Sequence, residues 1–132
     1  MGQREEIIEI ISSSDVNLST TNLLGYLSND VEYFMLANRR DAPLLRQLRG
    51  KSIVAEYLSI LPKAYEIVSR SISKISHDGP YTMAFGRDSA RIYPDRREII
   101  SDWSLILFIQ SGKIRNIQYI FHNMTDAESI SA

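Results

Sequence analysis

The chain of 132 residues contains no cysteine, which excludes a disulfide framework and a thiol nucleophile. Histidine is scarce: His77 and His122 stand far apart, and neither has carboxylates at metal-ligand spacing. No zinc site is expected on that pattern. No apolar run approaches the roughly 20 residues that span a bilayer, so no membrane partner is expected. Charge of one sign is missing too. Fifteen Lys and Arg meet sixteen Asp and Glu, and a net charge of -1 with interspersed signs leaves no footprint for nucleic acid. The opening MGQREEIIEI is acidic and amphipathic, unlike a basic start followed by an apolar core, so it does not read as a signal peptide. Glu6 stands where a myristoylation signal needs Ser or Thr. These absences predict a soluble, cytoplasmic protein without metal or organic cofactor.

What is present is ordinary globular material, 44% apolar and 23% charged, of a length that suits one domain over 1–132 with a real core. Its most ordered stretch is 98–123, which reads as a long β-hairpin. Trp103, Leu105, Leu107 and Ile109 fall on one face, and Asp102, Ser104, Ile106 and Phe108 on the other. Gln110-Ser111-Gly112-Lys113 is the turn. Large apolar groups on both faces predict that both are covered. The Trp103 face has no obvious helix left to cover it, which predicts a two-fold homodimer through the sheet.

The remainder supplies helices first and strands after. Residues 3–13 carry a stripe of Ile7, Ile8, Ile10 and Ile11 at helical spacing. Ser19-Thr20-Thr21 offers caps for a second short helix through Leu23, Leu24, Tyr26 and Leu27. A strand is expected over 31–36. The connection 37–50, with Leu44 and Leu45, is either a functional loop or a surface loop with its leucines tucked down. A third helix over 51–61 presents Ile53, Val54, Tyr57, Leu58 and Leu61 on one face, with Pro62 at its end. Strands follow over 64–76 and 81–93, separated by His77-Asp78-Gly79-Pro80. Residues 124–132 form a polar, flexible tail. Helices followed by an antiparallel meander imply an α+β domain, its helices packed on one face of a curved sheet.

Three stretches carry a resemblance: Leu27-Ser28-Asn29-Asp30-Val31-Glu32-Tyr33, then Leu48-Arg49-Gly50-Lys51 leading into a helix, then Ser111-Gly112-Lys113-Ile114. With the element order, they resemble the nuclear transport factor 2-like superfamily, in its SnoaL-like, ketosteroid-isomerase-like and limonene-epoxide-hydrolase-like branch. The resemblance implies a cone-shaped, cystatin-like α+β roll whose mainly antiparallel sheet wraps around three N-terminal helices. It also implies a pocket between sheet and helices. Members include isomerases, cyclases, dehydratases, epoxide hydrolases and proteins without catalysis, so the motifs speak to fold more than to function.

Carried over residue by residue, the isomerase base position is Met35, and its oxyanion-hole Asp falls near Ser104, with Asp102 two residues away. Tyr33 matches the water-holding Tyr of the epoxide hydrolases. Asp88 matches one of their acids, the Arg position is Gly86 with Arg87 next to it, and the second acid falls on His122. His122, Asp88, Asp102 and Tyr33 are therefore the catalytic candidates. Met35, Tyr57, Phe108, Tyr119, Phe121 and Arg87 are the candidates for contact with substrate. Each has a structural alternative. His122 would be a half-exposed strand-end residue, Asp88 and Asp102 would pair with Arg87 or Arg91, and the tyrosines would be core residues with hydroxyls reaching solvent. The function expected is a small enzyme acting on a hydrophobic oxygenated molecule by general acid–base catalysis: isomerisation, cyclisation, dehydration or epoxide opening. The alternative is a non-catalytic protein of the same fold that binds a small molecule or only dimerises.

Overall fold

The computed structural model describes residues 24–38, 44–93 and 96–126. A 3-10 turn, Leu24–Tyr26, leads into β1, Leu27–Ala37. Then come β2 (Leu44–Arg49), α1 (Lys51–Ala64), β3 (Tyr65–Asp78), β4 (Tyr81–Ile92), β5 (Arg97–Gln110) and β6 (Lys113–Asp126). The six strands form one mixed sheet in the order β2-β1-β6-β5-β4-β3. Only β1 and β6 run parallel; every other neighbouring pair is antiparallel. A sheet of that order with one helix upon it is an α+β arrangement. The helix expected over 3–13 lies outside the described residues. The expected second helix is a single 3-10 turn where it is described, and Leu27 already belongs to β1.

Period-two burial selects the face that α1 covers. Val31, Tyr33, Met35 and Ala37 on β1 are buried, as are Ile117, Tyr119 and Phe121 on β6 and Trp103, Leu105 and Leu107 on β5. Cross-strand register lines them up, with Met35 opposite Tyr119, Tyr119 opposite Leu105 and Phe121 opposite Trp103. This corrects one expectation. Trp103, Leu105, Leu107 and Ile109 form the core rather than an outward face. The apolar residues on the far face include Phe34, Leu36, Met83, Phe85, Ile100, Ile106, Phe108 and Ile120.

The helix is set by its start. Gly50 takes φ 101°, a left-handed conformation that costs a glycine little. Its N–H donates to the Val31 carbonyl at 2.8 Å, and its own carbonyl accepts the Val54 N–H at 2.9 Å. That pins α1 to β1. Val54 and Leu58, one turn apart, are buried. The helix runs on through position 62 to Ala64, where the Tyr65 N–H closes on the Leu61 carbonyl. The connection expected over 37–50 contains a strand, β2, which extends the sheet beyond β1. In the β5–β6 hairpin both turn residues have positive φ, Ser111 at 55° and Gly112 at 75°, the geometry that suits a tight two-residue turn. Met124, Thr125 and Asp126, expected in a tail, pair with Ser101, Ile100 and Ile99.

Candidate functional site

Asp88 is the most constrained polar residue of the described chain. It sits on the helix face of β4 with 0% exposure. A charged group there costs several kcal/mol unless donors replace its water. Four bonds do so. Arg70 on β3 is bidentate, with Nε to Oδ1 at 2.7 Å and Nη2 to Oδ2 at 2.8 Å. The Tyr65 hydroxyl donates to Oδ2 at 3.0 Å, and the Trp103 indole Nε1 to Oδ1 at 2.9 Å. Arg70 is itself only 6% exposed. Its guanidinium lies 4.3 Å from the Trp103 ring centroid, a cation–π stack, and it donates to the Tyr119 hydroxyl. Ser101 shares a hydrogen bond with Tyr65. Gly86 leaves room for all this. A Cβ there would stand 2.6 Å from Trp103 Cζ2 and 2.5 Å from the Ser71 carbonyl oxygen.

Beside this cluster is a cavity of about 260 Å³ between the C-terminal half of α1 and the sheet. Met35, Ala37, Leu44, Leu61, Ile92, Phe121 and Met124 give it apolar walls. Strands from both ends of the sheet order reach it, β2 through Leu44 and β3 through Tyr65, so the sheet bends around it. Its polar groups are Arg46, Tyr57, Tyr65 and Tyr93. Tyr65 belongs both to the cavity wall and to the Asp88 cluster. Burial, then the adjacent Asp88 charge, pushes its phenol far above the ordinary value, so it is a neutral donor. Burial pushes Tyr119 up to about 12 against the pull of Arg70. Burial also raises Tyr57.

The sequence candidates divide between the two faces. Met35, Tyr57 and Phe121 line the cavity, and Tyr119 lies just behind, stacked at 4.5 Å on Phe121. Tyr33 is buried with its ring 5.5 Å from Tyr57, and its hydroxyl has no partner among the described residues. Its phenol is raised well above the ordinary value by burial. Asp88 is on the cavity side, but its partner is Arg70 rather than Arg87 or Arg91.

Four candidates lie on the far face, and the expectation that they share a cavity with Asp88 is corrected accordingly. Alternation along β6 turns His122 outward because Phe121 turns in; it is exposed, with Nε2 2.8 Å from Ser104 Oγ. Asp102 pairs with Arg87, Nε to Oδ1 at 2.7 Å, and that guanidinium holds its carboxyl below the usual range. Arg87 is 64% exposed. Phe108 packs against Tyr81 at 5.2 Å, away from the cavity. Ser104, His122 and Asp102 do not form a catalytic triad: no carboxylate among the described residues hydrogen-bonds the His122 ring, and Asp102 is taken by Arg87.

Sequence reasoning missed Arg70, Tyr65, Ser101, Trp103 and Arg46. Among the described residues no group of three His, Cys, Asp or Glu could hold a metal ion, and no helix is long and apolar enough to cross a membrane.

No protein-family model matches the chain, and no curated protein matches it by sequence. Solved structures do match in fold. One is a protein from Mesorhizobium loti proposed to be a SnoaL-like polyketide cyclase, with TM-score 0.72 and 12% identity over 89% of this chain and 94% of that one. Another is an epoxide hydrolase of M. tuberculosis like the limonene enzyme, with TM-score 0.64 and 16% identity over 90% and 82%. A third is an NTF2-like protein from Burkholderia xenovorans, with TM-score 0.68 and 16% identity over 90% and 88%. The chain therefore has the NTF2-like fold, shared with SnoaL-like, ketosteroid-isomerase-like and epoxide-hydrolase-like proteins. At these identities the likeness is one of fold, and function must be argued from the site.

Proposed function

We propose that the chain is a small-molecule enzyme that binds a hydrophobic, oxygenated substrate in the cavity and acts on it by acid–base or oxyanion-stabilising chemistry at the Tyr65 end. The observation that carries this is that one residue, Tyr65, both lines an apolar cavity and gives its hydroxyl to a buried ion pair. A buried Arg–carboxylate pair is weak support for stability and is often replaceable by apolar packing. Placed behind a cavity wall that Tyr65 forms, it is better explained by what it does to Tyr65. Asp88 and Ser101 fix the phenol's orientation, and its neutral state makes it a donor. Turning that proton to a ligand oxygen leaves Asp88 three donors, two from Arg70 and one from Trp103. A preorganised donor in a dry site stabilises charge developing on oxygen. Isomerisation, cyclisation, dehydration and epoxide opening all develop such charge or need such a proton.

A specific observation favours the second reading, a non-catalytic binder: the Asp88 carboxylate is sealed from the cavity and already accepts four bonds. The two readings separate on Tyr65→Phe. A panel of terminal epoxides, β,γ-unsaturated ketones and tertiary alcohols is incubated with the protein and followed by NMR. The enzyme reading expects turnover of one class, reduced about 10²-fold in Tyr65→Phe with unchanged affinity. A compound that binds without turnover across the panel supports the binder instead.

A further inference from the structure

The cavity carries one charge among its lining residues, and that charge has no carboxylate partner among the described residues. Arg46 lies on β2 directly opposite Met35, so it stands on the cavity side at the sheet edge. Among the described residues its side chain makes one hydrogen bond, from Nη1 to the neighbouring Leu45 carbonyl at 3.0 Å. Five other arginines of the described chain, Arg70, Arg87, Arg91, Arg97 and Arg115, pair with carboxylates. Arg46 does not, among the described residues. Tyr57 lies on the same wall, close enough for the Arg46 charge to act on its phenol against the effect of burial. Among the described residues the Tyr57 hydroxyl bonds the Met35 sulfur, at 3.6 Å, a weak acceptor that a ligand oxygen would displace at small cost.

We infer that the cavity takes an amphipathic monocarboxylate, its apolar body between Met35, Leu61 and Phe121 and its carboxylate on Arg46 and Tyr57 at the rim. A planar guanidinium matches a carboxylate with two parallel bonds. The volume, about 260 Å³, lies below the range for drug-sized ligands and suits a single short chain or one ring. Tyr65 belongs to the same cavity wall, so a carboxylate held at the rim would orient the body of the molecule, and a second, reacting oxygen on it, toward Tyr65. The inference rests on the proposed cavity site and names its substrate class.

The test is calorimetric titration of 4-phenylbutanoate and of its neutral amide into wild-type protein and Arg46→Gln. The acid is expected to bind wild type about tenfold more tightly than the amide, the scale of one charge-assisted hydrogen bond near solvent. That preference is expected to vanish in Arg46→Gln while amide binding stays, and to shrink in high salt. Equal binding of acid and amide to wild type overturns the carboxylate assignment and leaves the apolar cavity reading standing. A preference that survives in Arg46→Gln also overturns it. Failure of both compounds to bind overturns the inference and counts against the cavity reading with it.

Discussion

Asp88 and Gly86 show how one position can decide a neighbourhood. Asp88→Asn keeps the shape but removes the charge that balances Arg70, leaving a buried cation unpaired. The expected cost is about 3 kcal/mol or more, read from urea unfolding. A candidate that only lined a pocket would leave melting unchanged, which is what the sequence alone suggests for this position; the four bonds predict otherwise. Gly86→Ala pushes a methyl group into Trp103 and the Ser71 carbonyl, and a loss of about 1–3 kcal/mol is expected by the same measurement. The buried phenols predict an alkaline limit. Tyr33, Tyr65 and Tyr119 are all raised by burial above the ordinary value of 10.0. Below that pH both folded and unfolded chains keep these phenols neutral and stability is complete. Above it the unfolded chain ionises first, so stability falls as pH climbs toward the folded values. Urea midpoints between about pH 9 and pH 11.5 should drop steeply, and Tyr119→Phe should flatten the drop.

The elements explain what the sequence could and could not reveal. Alternation along β6 already separates Phe121 from His122. The family position points His122 into the pocket, whereas alternation with Phe121 inward turns it out. The Trp103 face was legible as apolar but not as inward, because deciding between two apolar faces of β5 needs the helix. The Arg70–Asp88 pair was not legible at all. A regular hairpin closed at Gly79 would put Ser71 opposite Asp88. A register shift between Ile72 and Lys74 brings Arg70 there instead. Ser73 is the extra residue, its hydroxyl tied to the Phe85 carbonyl at 3.0 Å. Deleting Ser73 removes the extra residue and leaves Arg70 opposite Asp88 in a regular ladder, so the ion pair should survive the deletion. Urea unfolding should show a loss well short of the roughly 3 kcal/mol expected for breaking the pair, and a loss of that size would show that the bulge itself is needed to hold Arg70 on Asp88. The strand β2 was missed because Arg46, Gln47 and Arg49 break any apolar pattern; its pairing with β1 supplies the structure that propensity does not.

At the scale of the molecule, one face of the sheet is filled by α1 and the core, and the other is left with Phe85 at 37% and Tyr81 at 45% exposure beside Met83, Ile106, Phe108 and Ile120. The homodimer expected from the sequence is therefore proposed through this far face rather than through Trp103. Light scattering at micromolar concentration should give twice the mass of one chain, and Phe85→Glu with Ile106→Glu should return it to one. A wild-type mass of one chain would remove the pairing. The central claim is that the ligand site is the cavity on the helix face. Methyl NMR of ¹³C-labelled methionine tests it most directly, because Met35 and Met124 line the cavity and Met83 lies on the far face. Titration with an apolar oxygenated compound should shift the Met35 and Met124 methyl signals and leave Met83 in place. Saturable shifts at Met83 with Met35 and Met124 unmoved would contradict the account.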